Sequence, residues 1–527
     1  MSEKQATKAF FAFLLLSVCF RLLYTAFGPL DLVEDEAYYW EWSRQLDWSY
    51  YSKGPMVAYL IALFTRTLGV SELGLRLPSI LMGAGTLYTI FLLASSLCGS
   101  RVTGLLAAII LSCSPIFIAG SMLLTIDSPL FFFYTLACYF SWQACNGNRL
   151  RDWVFAGIAL GLGIMAKAAI LFFVPSLLLF LAFSPKHRGL LKQKGPWVCI
   201  GVGMLFFAPQ LIWNAQNDWV MFKDFLFKGG AGREIPWSER NPFLFIGSQA
   251  GVLSPYIFWL VLAGIWHSWA KRKADEAPAA ASKHLAGLSP EAARFLLAFT
   301  FPILGFFFLL SFNVPINANW PIIGYLSGAI AGAAYLHSRL RTLILQGNRG
   351  ALSRFRTIAT AGLMLGAVPS YGLFVTDVFH QVKLPNNGAI DPTNRLAEWV
   401  QFAEKVAAIR EVYAAEGELF LSSKYYQETA LMAFYLKDHP TTYCFEHRAR
   451  KNQYYFLNDF TKVVGQNSLF IARRDKDLRH VERAFDSVQP VTKLTIMRGK
   501  NAILEYDVYF CRNFHGWTYK EPQIGDE

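Results

Sequence analysis

The stretch DLVEDEAYYWEWSRQLDWSYYSKGP, residues 31–55, combines groups able to exchange protons or balance charge with a crowd of aromatic rings. It holds the carboxylates Asp31, Glu34, Asp35, Glu36, Glu41 and Asp47, and the rings of Tyr38, Tyr39, Trp40, Trp42, Trp48, Tyr50 and Tyr51. A carboxylate can take a proton from a hydroxyl nucleophile. Asp35 and Glu36 precede AYYWEWS, which has helix character, so both fall in a first helical turn, where the dipole favours the ionised form. That suits a proton-accepting or cation-holding group. The plainer reading is that they only cap the helix. The stretch would then be an acidic surface loop with an aromatic belt, since the apolar run Phe10 to Phe27 lies upstream and Tyr and Trp favour a membrane interface.

Two lone charges stand out beyond this stretch. Asp127, in LLTIDSPLFFF, is the only acid between Glu72 and Asp152, and Lys167, in GIMAKAAILFF, lies in a run without carboxylates between Asp152 and Asp218. An ionisable group at such depth points to function or to a partner. Asp127 also reads as an N-cap ahead of Pro129. Lys167 needs an anion from another helix or a ligand, unless it snorkels to the headgroups. Lys53 in YYSKGP, with Lys228 and Arg233 in KGGAGRE, adds cations, the last two on a glycine-rich loop able to approach a phosphate. The loop is not a phosphate-binding P-loop, and no nucleotide fingerprint occurs. Acids, cations and rings at one membrane face suit an enzyme whose substrate carries a phosphate and a sugar at headgroup level and a lipid tail in the bilayer.

The elements that must position these residues are membrane helices. Of 527 residues, 54% are hydrophobic and 16% charged, a membrane composition. The net charge of +12, from 49 basic and 37 acidic residues, fits basic cytoplasmic loops and not a nucleic-acid partner. With about 20 apolar residues per span, about eleven candidates emerge. They are 9–27, 75–98, 102–121, 128–145, 153–167, 169–184, 197–213, 243–270, 293–312, 318–337 and 355–377. The pair flanking Lys167 is short enough to be broken or re-entrant. The first span reads as uncleaved, because no small-residue cleavage site follows it.

With the N-terminus in the cytoplasm, every basic loop falls inside. These carry Arg101; Arg149 and Arg151; Lys186 to Lys194; Lys271 to Lys283; and Arg339 to Arg356. The acidic stretch, Asp127, loop 214–242 and the chain beyond about 378 then face the periplasm. Residues 55–69 are apolar on helical spacing but short, and are expected along the membrane surface. Beyond 377 the helical pattern Thr393 to Glu416 alternates with β-rich LFLSS (419–423), SLFIAR (468–473) and AILEYDVYF (502–510), a small α/β domain. The expected division is therefore a transmembrane domain, 1–377, with its first periplasmic loop at 28–74, and a periplasmic α/β domain, 378–527. Cys444 and Cys511 in that domain pair in an oxidising compartment or stay as thiols; both remain open.

EDEAYYWEWSRQLDWSYYSKGPMVAYLI, IDSPLFFFYTLACYF, GIMAKAAI, NANWPIIGYL (317–326) and DPTNRLAEW (391–399) together resemble the polyprenyl-phosphate-sugar glycosyltransferases of the dolichyl-phosphate-mannose protein mannosyltransferase superfamily, and in kind the bacterial lipid A aminoarabinose transferases. The resemblance implies an all-α polytopic GT-C fold of about eleven to thirteen transmembrane helices with a C-terminal soluble α/β domain. It implies inverting transfer of a sugar from a polyprenyl-phosphate-linked donor to a glycolipid, glycan or protein acceptor at the lipid bilayer. The family's essential first-loop carboxylate matches Asp35, with Glu36 beside it, and its second acidic motif matches Asp127. Donor-phosphate cations match at Lys53 and Lys167, while the loop cation is Lys228 or Arg233. Where relatives have two prolines after the basic residue, this chain has Lys53-Gly54-Pro55. No cofactor is demanded, and a divalent cation stays open. A transporter or flippase of a lipid-linked sugar would also need buried charges, yet the two related halves common in such folds are not seen. A non-catalytic scaffold leaves Asp127 and Lys167 without a purpose.

Overall fold

The computed structural model describes residues 1–230, 238, 240–272, 288–372, 374, 391–446, 452–473, 478 and 480–517. Packing divides the chain into two compact units, one of Met1–Tyr24, Leu77–Asp218 and Leu226–Gly372, the other of Thr25–Arg76, Trp219–Phe225 and Leu373–Glu527.

The first unit is helical. Each of the eleven apolar segments is helical over most of its described length. Among the described residues four helices are long and apolar enough to cross a bilayer unaided: Glu3–Phe27, Glu72–Cys98, Lys194–Gln216 and Pro290–Leu310. Counting each sharply bent pair as one span raises this to six; Arg101–Ser112 with Pro115–Met122 bends by 81°, and Arg240–Leu253 with Pro255–Arg272 by 105°. Both bends precede a proline, which disfavours helical geometry in the residue before it, and Ser254 has φ 76°. A third break carries more consequence. Helix Leu150–Ala166 ends at Lys167, which is extended (φ −155°, ψ 130°), before the 3₁₀ turn Ala168–Phe172 and helix Phe173–Phe183. The lone lysine is therefore the break itself. Helix Ile322–Leu345 is held close to Pro255–Arg272 at Gly264, where a Cβ would lie 2.3 Å from the Ala331 carbonyl carbon. Small residues permit such approach between membrane helices.

The second unit joins the first loop to the C-terminal segment. Its sheet has the order β2-β1-β3-β5-β4, with β1 Leu419–Ser423, β2 Thr442–Cys444, β3 Asn467–Ala472, β4 Phe485–Arg498 and β5 Asn501–Phe514. β1 runs parallel to β2 and β3, while β5 is antiparallel to β3 and β4. The three β-rich runs of the sequence appear as β1, β3 and β5. β2, only three residues long, and β4 lack so plain a signal. The core under the sheet is aromatic, including Phe420, Tyr443, Phe445, Phe470, Phe485 and Phe514. Cys444 and Cys511 are buried free thiols. They sit three strand spacings apart, about 14 Å, beyond the roughly 7 Å a disulfide can span.

The rings of residues 38–51 are not a membrane belt. Tyr38, Tyr39, Trp40, Trp42, Tyr50 and Tyr51 are buried, and only Trp48 is largely exposed. Tyr38 packs on Tyr426 and Tyr454 at ring-centroid distances of 4.4 and 5.7 Å, Trp40 on Phe434 at 5.2 Å, and Trp42 stacks on Tyr50 at 4.7 Å. Tyr38 and Trp40 form the hydrophobic seam that fixes helix Glu34–Arg44 against helix Tyr426–Tyr435 within this unit.

Candidate active site

Helix Glu34–Arg44 starts after the N-cap Val33 and places three carboxylates in its first turn. Their surroundings differ sharply. Glu36 accepts the Val33 N–H at 3.0 Å, completing a helix cap. It also meets the fully buried guanidinium of Arg76, Nη2 to Oε2 at 2.8 Å and Nε to Oε1 at 3.1 Å. Arg76 in turn donates to the Leu30 and Asp31 carbonyls. Glu34 is gripped by Arg395 through two hydrogen bonds, at 2.9 and 3.3 Å, with Arg473 3.9 Å away. Glu41 pairs with Arg44 at 2.7 Å.

Asp35 stands between these neutralised neighbours. Its Oδ1 accepts the Tyr426 hydroxyl at 3.1 Å. Among the described residues no ion pair reaches it and Oδ2 accepts no hydrogen bond. Desolvation raises its pKa above the ordinary carboxylate value, and the Glu34 charge adds to that rise. The Tyr426 hydroxyl and the Lys53 and Arg395 charges oppose it. Asp35 lines a cavity of about 310 Å³ together with Glu34, Arg395, Tyr426 and Gln427.

The supports of this cavity come from residues far apart in sequence. Arg498, at the tip of the β4–β5 hairpin, is buried and donates to Thr393 Oγ1 at 2.9 Å and Asn394 Oδ1 at 3.2 Å. It thereby fixes the 3₁₀ turn Pro392–Leu396 that carries Arg395. Asp31 Oδ2 takes the Trp399 N–H at 2.5 Å, and burial lifts its pKa to about 7. Glu428, bonded to Arg473, is likewise lifted to about 7 by burial. Lys53 sits at a tight turn whose carbonyl accepts the Tyr50 N–H at 3.1 Å, and its charge acts on Asp35.

In the first unit the two outliers of the sequence meet. Lys167 Nζ lies 2.7 Å from Asp127 Oδ1, and Asn319 Nδ2 donates to Asp127 Oδ2 at 2.9 Å. Asp127 is not an N-cap: that place is Ile126, and Asp127 opens helix Asp127–Gly147. The anion that Lys167 needed comes from another helix. Lys228, a residue of the same unit, ends helix Val220–Lys228. Arg233 lies outside the described residues. Among the described residues, no three His, Cys, Asp or Glu side chains gather as a metal would require.

Sequence reasoning passed over Asn319 and Arg395 as individual residues, although both stand in the segments NANW and DPTNRLAEW that carried the resemblance. Tyr426 had no signal at all, since a tyrosine in a helical run announces no partner.

Residues 52–213 match the family model of dolichyl-phosphate-mannose-protein mannosyltransferase. A lipid A galacturonosyltransferase, RgtD of Rhizobium johnstonii, is 24% identical over 378 residues, 70% of this chain and 71% of that protein. The crystal structure of ArnT from Cupriavidus metallidurans bound to undecaprenyl phosphate matches with a TM-score of 0.58 at 16% identity, over 96% of this chain and 98% of that one. The archaeal oligosaccharyltransferase AglB from Archaeoglobus fulgidus matches at 0.52 and 13% identity, over 88% of this chain and 69% of that one. The chain is a multi-pass inner-membrane protein that has the GT-C fold and is similar to bacterial polyprenyl-phosphate-sugar glycosyltransferases.

Proposed function

We propose that the protein transfers a sugar from a polyprenyl-phosphate donor to a periplasmic acceptor, lipid A first among the candidates and a surface glycan or protein after it. The name of the galacturonosyltransferase relative supports the acceptor class, and the undecaprenyl phosphate bound to the structural neighbour supports the donor class. The observation that carries the chemical reading is Asp35: a cavity-lining carboxylate with one oxygen left over, among acids that arginines already neutralise.

In this reading Asp35 takes the proton of the acceptor hydroxyl or phosphate as its oxygen attacks the anomeric carbon. The bond from that carbon to the phosphate oxygen breaks with inversion, and the phosphate leaves without needing an acid. Lys53 and Lys167 serve the donor phosphate, whose charge grows as the sugar departs, with Lys228 or Arg233 as a loop cation. Asp127 orients Lys167. Glu36 acts through structure, by fixing Arg76 and the helix start. A pKa raised above the ordinary carboxylate value makes Asp35 a stronger base once ionised.

The same proposal places the N-terminus of the 1–377 transmembrane domain in the cytoplasm and the α/β domain, 378–527, in the periplasm, in keeping with the distribution of basic loops. A reporter fused after residue 190 should read cytoplasmic and one at the C-terminal end periplasmic. The decisive assay is single-turnover transfer from a synthetic polyprenyl-phosphate sugar to lipid A in detergent. Flipping of the lipid-linked sugar without transfer would overturn the proposal in favour of a transporter.

A further inference from the structure

Among the described residues no arginine pairs with one carboxylate of the first helix of the second unit, Asp35, and a side chain almost four hundred residues later in the sequence holds it. Helix Tyr426–Tyr435 begins with Tyr426, which sits directly after Tyr425, the N-cap of that helix. Its ring lies 4.4 Å from that of Tyr38 with a 38° tilt. Tyr38 is itself fixed, stacked on Tyr454 and accepting the backbone N–H of Gln453 at its hydroxyl. The phenol is therefore aimed, not loosely hung, and its hydroxyl reaches Asp35 Oδ1 at 3.1 Å. A phenylalanine would fill the same space between rings, so packing alone does not call for the hydroxyl. It also lines the cavity that Asp35 faces.

We propose that Tyr426 is a positioning residue for Asp35: its hydroxyl occupies Oδ1, fixes the carboxylate plane and leaves Oδ2 to meet the acceptor. Through this bond the C-terminal α/β segment becomes part of the catalytic machinery. The inference rests on the reading of Asp35 as the base.

The hydrogen bond favours the ionised carboxylate, so its removal makes Asp35 harder to ionise. The groups facing Asp35 are Tyr426, Glu34, Lys53 and Arg395. Glu34, whose charge opposes ionisation, and Lys53 and Arg395, which favour it, are unchanged by a substitution at 426. A base must be ionised, and activity is lost as pH falls through its pKa. Tyr426→Phe should move the acid limb of the kcat/KM profile up by about one pH unit, the scale of a hydrogen bond to a charged acceptor. Below the limb that is roughly a tenfold loss, and at high pH the rate should largely recover. A merely structural tyrosine would lower the melting temperature without moving the limb.

The experiment is the pH–rate profile of the full-length enzyme in detergent for the parent, Tyr426→Phe, and a variant with 3-fluorotyrosine at 426, whose more acidic phenol donates more strongly while keeping its shape. The fluorinated enzyme should shift the limb the other way, to lower pH, and it keeps the test open should the phenylalanine variant fold poorly. Limbs that coincide in all three proteins would overturn the role of Tyr426. Asp35→Asn run beside them separates the two levels. If Asp35→Asn transfers sugar normally, the reading of Asp35 itself fails. If it is inactive while the three limbs coincide, only the positioning role fails.

Discussion

Two helices of this protein open alike and end up differently. Helix Glu34–Arg44 begins with carboxylates ahead of AYYW, and helix Asp127–Gly147 begins with a carboxylate ahead of PLFFF. At the second, the acid is saturated: Lys167 takes one oxygen and Asn319 the other. At the first, saturation is selective. Arg395 and Arg76 occupy Glu34 and Glu36, and Asp35 between them retains, among the described residues, an oxygen without a hydrogen bond. Three successive acids thus acquire different surroundings from the counter-ions that the fold delivers. Neutralising the flanking charges also removes much of the repulsion that a second anion at Asp35 would meet.

The largest test of that contrast is to remove the charge at each acid separately. Asp35→Asn keeps the Tyr426 bond geometry, and single-turnover transfer should fall by about 10²- to 10⁴-fold, the contribution of a general base, with the melting temperature near the parent's. Glu36→Gln should do the reverse. It leaves the Arg76 guanidinium buried opposite a neutral amide, and breaking such a pair costs about 3–5 kcal/mol of stability. A Glu36→Gln enzyme that melts like the parent, or an Asp35→Asn enzyme that turns over like it, would dissolve the distinction.

The next test concerns the saturated helix. Lys167→Met keeps the apolar stem and removes the charge, and should slow transfer by about 100- to 1000-fold if the ammonium stabilises the departing phosphate. If Lys167 serves only Asp127, the double variant Lys167→Met with Asp127→Asn should recover the stability lost in either single variant. Turnover would then stay within about threefold of the parent. Lys53→Met belongs in the same series.

How much of this was legible beforehand follows from range. Helices and the lone charges Asp127 and Lys167 were readable because hydropathy and charge isolation are local properties. Their pairing across 40 residues was not, since Lys167 offered only a need for an anion without saying whose. The rings of 38–51 read as an interfacial belt because a buried aromatic seam and a belt have the same composition. What separates them is helix Tyr426–Tyr435, whose approach leaves no trace in the first loop. β2 was too short to announce itself, and the separation of Cys444 from Cys511 depended on a strand order that no spacing encodes. Asp35 and Glu36 stand together in one motif. What distinguishes the two was not legible, for Arg76 lies 40 residues from Glu36 and Arg395 lies 361 from Glu34.

The smallest predicted effect probes the same counter-ion logic outside catalysis, at Asp31. Its carboxylate is held to the Trp399 N–H, and desolvation, reinforced by the Glu72 and Glu398 charges, raises its pKa to about 7. An unfolded aspartate releases its proton near pH 3.9. Between about pH 4 and 7 the folded state therefore holds more protons than the unfolded one, and stability must fall as pH rises through that window. Below it both states are protonated and the penalty is absent; above it the penalty is constant. Asp31→Asn keeps an acceptor for Trp399 and cannot titrate, so its unfolding midpoint in detergent should fall less between pH 5 and pH 7 than the parent's. Some slope should survive, because Glu428 is shifted in the same direction to about 7, and Glu428→Gln should reduce it further. Equal slopes in the parent and the Asp31→Asn variant would mean that Asp31 is ionised in the fold at neutral pH, with Arg76 outweighing its burial.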